Sequence, residues 1–406
     1  MTLLTTLEQT AARPRGPILD RLGDAPAFRA ALRAWLEDAA ARRKALVGPA
    51  DEDFAESQRW WMTERQQVGL VTPHWPSSVG GADMDLGSQV ILAEELARAR
   101  IPDLSMFMIS LHHVPATLLH WGSEEQRRKY LPPVLDGAVW CQGFSEPGAG
   151  SDLAALRTRA VRDGDHYVIN GHKTWSSYSM FAEKCILLAR TDPEKPKHKG
   201  ISFFLMDMKA PGVEVRPVKQ INGQAEFGEL FLTDVRIPVE DLVGQEGQGW
   251  QIAQTTLAAE RGVILFELGE RLYYLLTDVH AAAVAGNSAW LHDAEQRRAF
   301  IRLVGELQAS RGMLRGLMRK VAEDSPEAPG MIVRIKVIFT QLLKAIGDFL
   351  VSSQGVEGQL FWPASANHSW NAIDTYLHAF VYTIAGGTNE IMRNLIAERF
   401  LGMPKG

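Results

Sequence analysis

The spacing of hydrophobic residues divides the chain into three regions, of which the first, from about residue 25 to 135, has a helical pattern. In the window 88–100 apolar positions recur every three or four residues, as on one face of a helix. Residues 86–88 supply a start signal for this helix, and Ile101 followed by Pro102 supplies a stop. The first region is therefore predicted to be an α-helical unit.

Two more helices are predicted in the same region. One runs from about residue 52 to 68 and is separated from the next helix by prolines and glycines. The other opens at Ser123, which forms a capping box with Gln126 three residues later. Pro132 and Pro133 are expected to close that helix.

From about residue 140 to 240 the pattern changes to short runs of β-branched and aromatic residues, with glycines and prolines between them. Such runs, bounded by turn residues, are typical of strands joined by short connections. They lie at 166–169, 185–189, 201–206, 213–218 and 229–232. Their spacing predicts a compact antiparallel β unit.

After Pro238 the helical periodicity returns in longer stretches. Helices are predicted at about 247–285, 290–323, 331–353 and 388–400. An apolar stripe on the third of them comprises Ile332, Ile335, Phe339, Leu342, Ile346 and Phe349. A continuous stripe indicates packing against sister helices or another subunit, and we expect it to lie in a core.

Composition and charge narrow the class of protein. The chain has 406 residues and a net charge of −5, so two or three packed units are expected and binding to DNA or RNA is disfavoured. Cys141 and Cys185 are the only cysteines and lie far apart in sequence, which argues against a disulfide framework or a zinc site. No apolar run approaches the roughly 18 residues of a membrane span, and the N-terminus does not read as a secretory signal. A cytoplasmic protein is expected.

Three segments combine small residues with hydroxyls and amides. They read QGFSEPGAGS at 142–151, NGHKTWSS at 170–177 and AGGTNEIMRN at 385–394. Glycines let backbone N–H groups approach phosphate oxygens without a Cβ in the way. A turn followed by a cap accounts for some residues of the first segment but not for the whole string. The chain has no P-loop, no Gly-x-Gly-x-x-Gly after a strand and no metal-ligand spacing among its histidines, so nicotinamide and metal enzymes are disfavoured.

In this order, the three segments resemble the motifs of the FAD-dependent acyl-CoA dehydrogenase family. The resemblance implies an α+β multidomain fold with an N-terminal α-helical domain at 1–138, a central antiparallel β-barrel at 139–240 and a C-terminal four-helix bundle at 241–406. It also implies the α,β-dehydrogenation of an acyl-CoA thioester to the trans-2-enoyl-CoA. FAD would be the cofactor, and electrons would pass to an electron-transfer flavoprotein.

The resemblance further assigns roles to individual residues. Flavin contacts would come from Gln142, Phe144, Ser145, Gly150, Ser151, Trp175, Ser176, Ser177, Thr388 and Glu390. Ser151 would also touch the acyl-CoA, and Gly387 would lie in the substrate site. Gly386 would supply the backbone N–H that binds the thioester oxygen. Taken alone, the last of these segments is a Gly-Gly loop before a helix that Thr388 caps.

The family's most familiar branch has its catalytic glutamate where this chain has Gly386, so that base is missing here. A second branch, resembling the isovaleryl and long-chain enzymes, carries the glutamate on an earlier bundle helix, directly before an arginine. Glu260 and Arg261 form such a pair. A solvated ion pair on a helix surface is the structural alternative. We expect Glu260 to abstract the α-proton and Arg261 to orient the substrate.

Two departures from the family pattern bear on assembly. Residues 286–298 lack the Arg-x-x-x-Phe-Gly segment that reaches a neighbouring flavin in many relatives, and the Gly-Gly-x-Gly loop is altered to QGVEG at 354–358. A hetero-oligomer, as a dimer or an α2β2 tetramer, would explain both changes; a homo-oligomer is the alternative. An acyl-CoA oxidase, or a partner subunit without full activity alone, are alternative functions. The altered loops and the base at Glu260 favour bulky acyl groups, of steroid or long-chain type.

Overall fold

The structure is a computed structural model that describes residues 16–47, 53–258, 262–360 and 371–404. These residues form two compact units, and each is considered by itself. Of the described residues, the first unit contains Gly16, 58–83 and 103–258, and the second contains 17–47, 53–57, 84–102 and those after 261.

An eight-stranded sheet forms the centre of the first unit. Its strands are β1 Trp140–Gly143, β2 Arg159–Asp163, β3 His166–Ser177, β4 Lys184–Arg190, β5 Ile201–Asp207, β6 Val213–Val218, β7 Phe227–Pro238 and β8 Leu242–Val243. Their order is β6-β7-β3-β2-β4-β5-β8, with β1 beside β4. No pairing among the described residues joins β6 to β8, so the sheet is open and the predicted closed barrel is not confirmed. The sheet is also mixed, because β4 runs parallel to both β1 and β2.

The middle of this sheet is fully buried. Almost every residue of β4 and β5 is inaccessible to solvent, which explains why both strands read as unbroken apolar runs. Cys141 on β1 stands opposite Cys185 on β4, and both are buried free thiols. Their distance in sequence gave no sign of this pairing.

Four helices lie wholly or mainly in the first unit. They are α2 Phe54–Gln67, α4 Val114–Trp121, α5 Glu124–Leu135 and α6 Gly249–Ala258. The capping box at the start of α5 is confirmed, since Ser123 and Gln126 exchange both expected hydrogen bonds. The predicted end of α5 was wrong, because Pro132 and Pro133 lie inside it. Proline lacks an N–H donor and its ring crowds the preceding turn, but its carbonyl still accepts, and both proline carbonyls accept bonds from the residues that follow.

The second unit is helical. Its helices are α1 Ala25–Val47, α3 Leu86–Arg98, α7 Val263–Ala285, α8 Ala294–Ala322, α9 Ala328–Ser353, α10 Ala372–Ile384 and α11 Asn389–Leu395, which continues as a π-helical turn Ile396–Phe400. Helix α3 begins before the predicted window because Asp85, and not Ser88, is its N-cap and accepts from the Ser88 N–H at 3.0 Å. The stretch predicted as one helix at 247–285 consists of α6 and α7, and Gly262 before α7 has non-helical dihedrals.

Large apolar side chains fill the core of the second unit. Five of the six stripe residues on α9 are buried there, so the predicted core role is confirmed; the sixth, Ile332, is partly buried against the same cluster. Trp290, which precedes α8, is also buried, and its ring contacts Phe300 and Phe349. Helix α10, which the sequence did not predict, packs along α9.

Candidate functional site

Trp175 lies in a β-bulge of β3. The register of β3 against β7 shifts between Lys173 and Ser176, so β3 carries an extra residue there. Trp175 has φ +60°, in the left-handed region that bulky side chains rarely adopt. Its indole is 58% exposed and touches Phe227 edge-on. A strained backbone that holds a large apolar ring in solvent is typical of a ligand platform.

Hydrogen bonds attach the 142–151 segment to this bulge. The N–H of Thr174 donates to the carbonyl of Ser145 at 2.9 Å, and Lys173 Nζ donates to the carbonyl of Phe144 at 3.1 Å. These hydrogen bonds therefore hold the backbone of the 142–151 segment in place against β3. The sequence predicted that the first two motifs act together, and the structure brings them into direct contact.

A buried ion pair reinforces this attachment. Lys173 is fully buried, and its Nζ lies 2.9 Å from Glu146 Oε1. The Glu146 carboxylate also accepts from the N–H groups of Arg157 and Thr158 and from the Thr158 hydroxyl. Burial alone would raise the pKa of Glu146, but Lys173 and the hydrogen bonds outweigh it and hold that pKa below its usual range.

Most residues from 147 to 151 are exposed to solvent, whereas Ala149 is buried. Glu146 and Ala149 close a tight turn through two backbone hydrogen bonds of 3.1 and 3.0 Å. Gly150 and Ser151 follow it, both exposed, and no atom lies within 4 Å of where a Gly150 Cβ would be. Backbone groups here are accessible to a ligand. Beside the turn lies a cleft of about 320 Å³, whose walls include Gly148 and Arg157.

The residues predicted to contact the flavin differ in how far they are exposed to solvent. The Phe144 ring is buried against Phe203, so only its backbone could face a ligand. Ser176 is fully buried, and its hydroxyl has no hydrogen-bond partner among the described residues. Gln142 and Ser177 are partly exposed.

Gln142 is held by a histidine from a π-helical turn. The turn Ile109–His113 precedes α4, and π turns are frequent at functional sites. His113 is fully buried, and its Nδ1 donates to Gln142 Oε1 at 2.9 Å. The His113 carbonyl in turn accepts from the Thr117 hydroxyl, which lies 2.7 Å from that of Thr256 on α6. This buried polar chain ties the first motif to helix α6.

In the second unit the third motif forms a loop and the start of α11. Gly386 and Gly387 have φ +65° and +92°, which only glycine adopts easily in succession. The Thr388 hydroxyl accepts from the Ile391 N–H at 3.2 Å, so the predicted N-cap is confirmed. Glu390 is exposed in the first turn, where a carboxylate suits the helix dipole.

Glu260 and Arg261, the predicted base and its neighbour, lie outside the described residues. Helix α6 precedes them in the sequence, and its last turns are anchored by hydrogen bonds. Thr255 accepts from the Trp121 indole at 3.1 Å, and Thr256 bonds Thr117 as described above.

Comparison with known proteins identifies the family. Three family models match: the acyl-CoA dehydrogenase N-terminal domain over residues 24–138, the middle domain over 141–235 and the C-terminal domain over 247–401. A relative named acyl-CoA dehydrogenase IpdE1, from Mycobacterium tuberculosis, is 37% identical over 389 residues, which cover 94% of this chain and 98% of the relative. The chain belongs to the acyl-CoA dehydrogenase family. It is thus an enzyme, an oxidoreductase, as predicted.

Solved structures of the family share the fold. One, described as the Tcur3481-Tcur3483 steroid ACAD, matches with a TM-score of 0.82 at 32% identity, over 95% of this chain and 98% of that chain. A second, the ChsE4-ChsE5 complex from Mycobacterium tuberculosis, matches with a TM-score of 0.77 at 28% identity, over 96% and 98%. The predicted succession of a helical, a β-sheet and a helical region is that of the acyl-CoA dehydrogenase fold.

Members of this family are flavoproteins, and the residues of the first unit fit FAD. The exposed indole of Trp175 offers a flat platform, and the open backbone around Gly150 offers donors to phosphate. Among the described residues no cluster of metal-ligating side chains is present, and no helix is long and apolar enough to cross a bilayer.

Sequence reasoning missed the residues that hold these motifs in place. Lys173 and Glu146 each lie inside a motif, so their opposite charges were a usable signal. His113 and Gln142 are 29 positions apart. Only the fold brings them together, and no local pattern points to their contact.

Proposed function

We propose that the protein catalyses the FAD-dependent α,β-dehydrogenation of an acyl-CoA thioester to the trans-2-enoyl-CoA. The strained, exposed Trp175, bonded through its neighbours to the 142–151 segment, is the observation that carries this proposal. An aromatic platform beside an open glycine-rich loop suits a cofactor that has both a ring system and phosphates. The domain boundaries at 138 and 240 are part of the same proposal.

Residues of all three motifs would hold the cofactor. In the first unit these are Gln142, Ser145, Gly150, Ser151, Trp175 and Ser177, together with the backbone of Phe144 and Ser176. In the second unit they are Thr388 and Glu390. When bound, FAD would supply the acceptor for the β-hydride, which carries both of the electrons that leave the acyl chain.

The remaining steps belong to the chain's own residues. The Gly386 N–H donates to the thioester oxygen, which acidifies the α-proton, and the Glu260 carboxylate removes that proton. Ser151, Arg261 and Gly387 orient the acyl-CoA. Electrons would then pass to an electron-transfer flavoprotein.

Replacing Glu260 by glutamine tests the assignment of the base. Glutamine keeps the size of the side chain but cannot take a proton, so FAD-loaded Glu260→Gln should hold as much FAD as the wild type does and lose bleaching of the flavin colour by acyl-CoA under anaerobic conditions. We expect a loss of at least about a hundredfold in the bleaching rate. Bleaching is followed by visible absorbance in a stopped-flow instrument.

Glu267→Gln is the matched control, because Glu267 lies further along on α7 and pairs with Arg271. It should bleach at the wild-type rate. A Glu260→Gln protein that bleaches as fast as the wild type would exclude Glu260 as the base.

Hydrogen peroxide release by the wild type in air would indicate the oxidase alternative.

For the acyl group we propose a bulky chain of steroid type. A matching structure is described as a steroid ACAD, and the missing base at Gly386 points in the same direction. Anaerobic bleaching by a panel of straight, branched and steroid acyl-CoA thioesters tests this proposal. Faster bleaching by short straight chains would contradict it.

A further inference from the structure

Two successive glycines make the loop before α11 adaptable. Gly386 and Gly387 both lie in the left-handed region, and Gly386 is exposed. Such a dipeptide loses more backbone freedom on ordering than any other pair, so it needs contacts from outside to hold one conformation. A donor that stabilises developing charge must be held within a fraction of an ångström.

Lys336, on α9, supplies such contacts. Its Nζ donates to the carbonyl oxygen of Gly387 at 2.7 Å and to Asn389 Oδ1 at 3.1 Å. One ammonium therefore grips the loop on both sides of Thr388. The interaction is charge-assisted, which makes it stronger than a bond between neutral groups.

The second contact point is itself fixed. Asn389 is buried, and its Nδ2 donates to the Thr340 hydroxyl at 3.0 Å, one helical turn beyond Lys336 on α9. Thr340 is also buried and donates to the carbonyl of Val337 at 3.1 Å. The clamp therefore rests on a rigid helix and not on another loop.

We propose that Lys336 is a positioning residue for the reaction, which aims the Gly386 N–H at the thioester oxygen by clamping the Gly387 carbonyl and Asn389. This inference rests on the proposed function, because it takes Gly386 as the donor. The clamp fixes the loop where it enters α11, two peptide groups after the Gly386 N–H, and so limits the positions to which the loop can carry this N–H. Without the ammonium, the loop would gain freedom at its junction with α11, and the Gly386 N–H would point at the oxygen for a smaller fraction of the time.

The test compares Lys336→Met, which keeps the length of the side chain but removes the charge, with Lys336→Arg, which keeps the charge. Lys344→Met is the matched control, because Lys344 lies two turns further along α9 and its Nζ sits over the Phe380 ring instead. Two quantities are measured on the FAD-loaded enzyme. One is amide hydrogen exchange in peptides covering 385–391, without substrate; the other is the anaerobic bleaching rate as a function of acyl-CoA concentration.

In Lys336→Met we expect exchange of the loop amides to rise roughly tenfold. The limiting bleaching rate should fall about tenfold or more, with a smaller change in the half-saturating concentration. Lys336→Arg should recover part of both effects, and Lys344→Met should behave like the wild type. A global loss of folding would instead raise exchange throughout α9 and α11. In that case Lys336→Arg, which keeps the charge, is the variant in which the clamp is judged.

Unchanged loop exchange in Lys336→Met would overturn the clamp. Faster exchange with an unchanged limiting bleaching rate would overturn its role in positioning the donor, as would equal losses in Lys344→Met. Failure of the proposed function shows separately. In that case no acyl-CoA thioester bleaches the wild-type flavin, whereas the exchange comparison still reports on the clamp.

Discussion

At the scale of single residues, the buried ion pair of Lys173 and Glu146 is costly to form. Both groups are removed from water, which is offset only because the carboxylate also accepts three hydrogen bonds from its neighbours. Lys173 also bonds the Phe144 carbonyl. The pair therefore fixes the backbone of the first motif relative to β3.

Removing the Lys173 ammonium should leave the Glu146 carboxylate buried without its opposite charge. We expect Lys173→Met to lower the free energy of unfolding by about 3 kcal/mol, since breaking a buried ion pair leaves a buried charge uncompensated. Urea unfolding followed by circular dichroism measures the change. Lys184→Met, which breaks the partly exposed pair with Asp207, is the control and should cost less than about 1 kcal/mol. Similar losses of unfolding free energy in the two variants would show that the buried pair contributes no more to stability than the partly exposed pair.

At the scale of elements, two arginines of α1 and one of α3 meet at a single carboxylate of α3. Glu95 on α3 is buried and accepts from Arg29 and Arg33 of α1 and from Arg98 of its own helix, at 2.6 to 2.9 Å. Burial alone would raise the pKa of Glu95, but the arginine hydrogen bonds outweigh it and lower this pKa to about 2.

The depressed pKa makes this contribution to stability depend on pH. It is fully present above the ordinary glutamate pKa of 4.5 and is lost as the pH falls towards 2, because the unfolded chain binds the proton more readily. Glu95→Gln should therefore lower the free energy of unfolding by about 2 kcal/mol at pH 7, with a smaller deficit at pH 3.

Urea unfolding of both proteins at the two pH values measures the deficit. Glu37→Gln is the control, since Glu37 is exposed and contacts the same Arg98 at 3.4 Å. It should have little effect at either pH. A deficit in Glu95→Gln that stays constant between pH 7 and pH 3 would contradict the proposed linkage.

The elements also show how far sequence patterns reach. Periodicity predicted α2, α8 and α9 closely, because their apolar faces repeat every 3.6 residues. It failed at ends, where one residue decides: Asp85 caps α3, and Pro133 does not stop α5. Helix α10 was not predicted, because no start signal was recognised at Asn371, whose side chain caps this helix.

At the scale of the whole molecule, long-range pairing was the part that the sequence could not supply. Strand positions follow from local alternation, whereas closure of a sheet depends on whether distant strands meet. The expected barrel was therefore taken from the family resemblance, and the described sheet is open. For the same reason the motifs identified candidate site residues, while their supports, such as Lys336, became visible only in the fold.

Assembly is the prediction at this scale. The segment at 286–298 is tied into its own unit by the buried Trp290, and it lacks the arm expected to reach a neighbouring flavin. We expect the chain expressed alone to retain little FAD. Co-expression with a homologous subunit should give a hetero-oligomer with high FAD occupancy, measured by absorbance and native mass spectrometry. Co-expression with an unrelated protein is the control, and full occupancy in a homo-oligomer would contradict the prediction.

Cys141 on β1 and Cys185 on β4 lie opposite each other, so the reactivity of their thiols can report the unfolding of the sheet. Burial raises the pKa of the Cys141 thiol, so little reactive thiolate forms, and alkylating reagents cannot reach either sulfur while the strands remain paired. Modification at these positions must wait for the sheet to separate. Because the chain has no other cysteine, its rate of alkylation counts openings of the sheet without any engineered label.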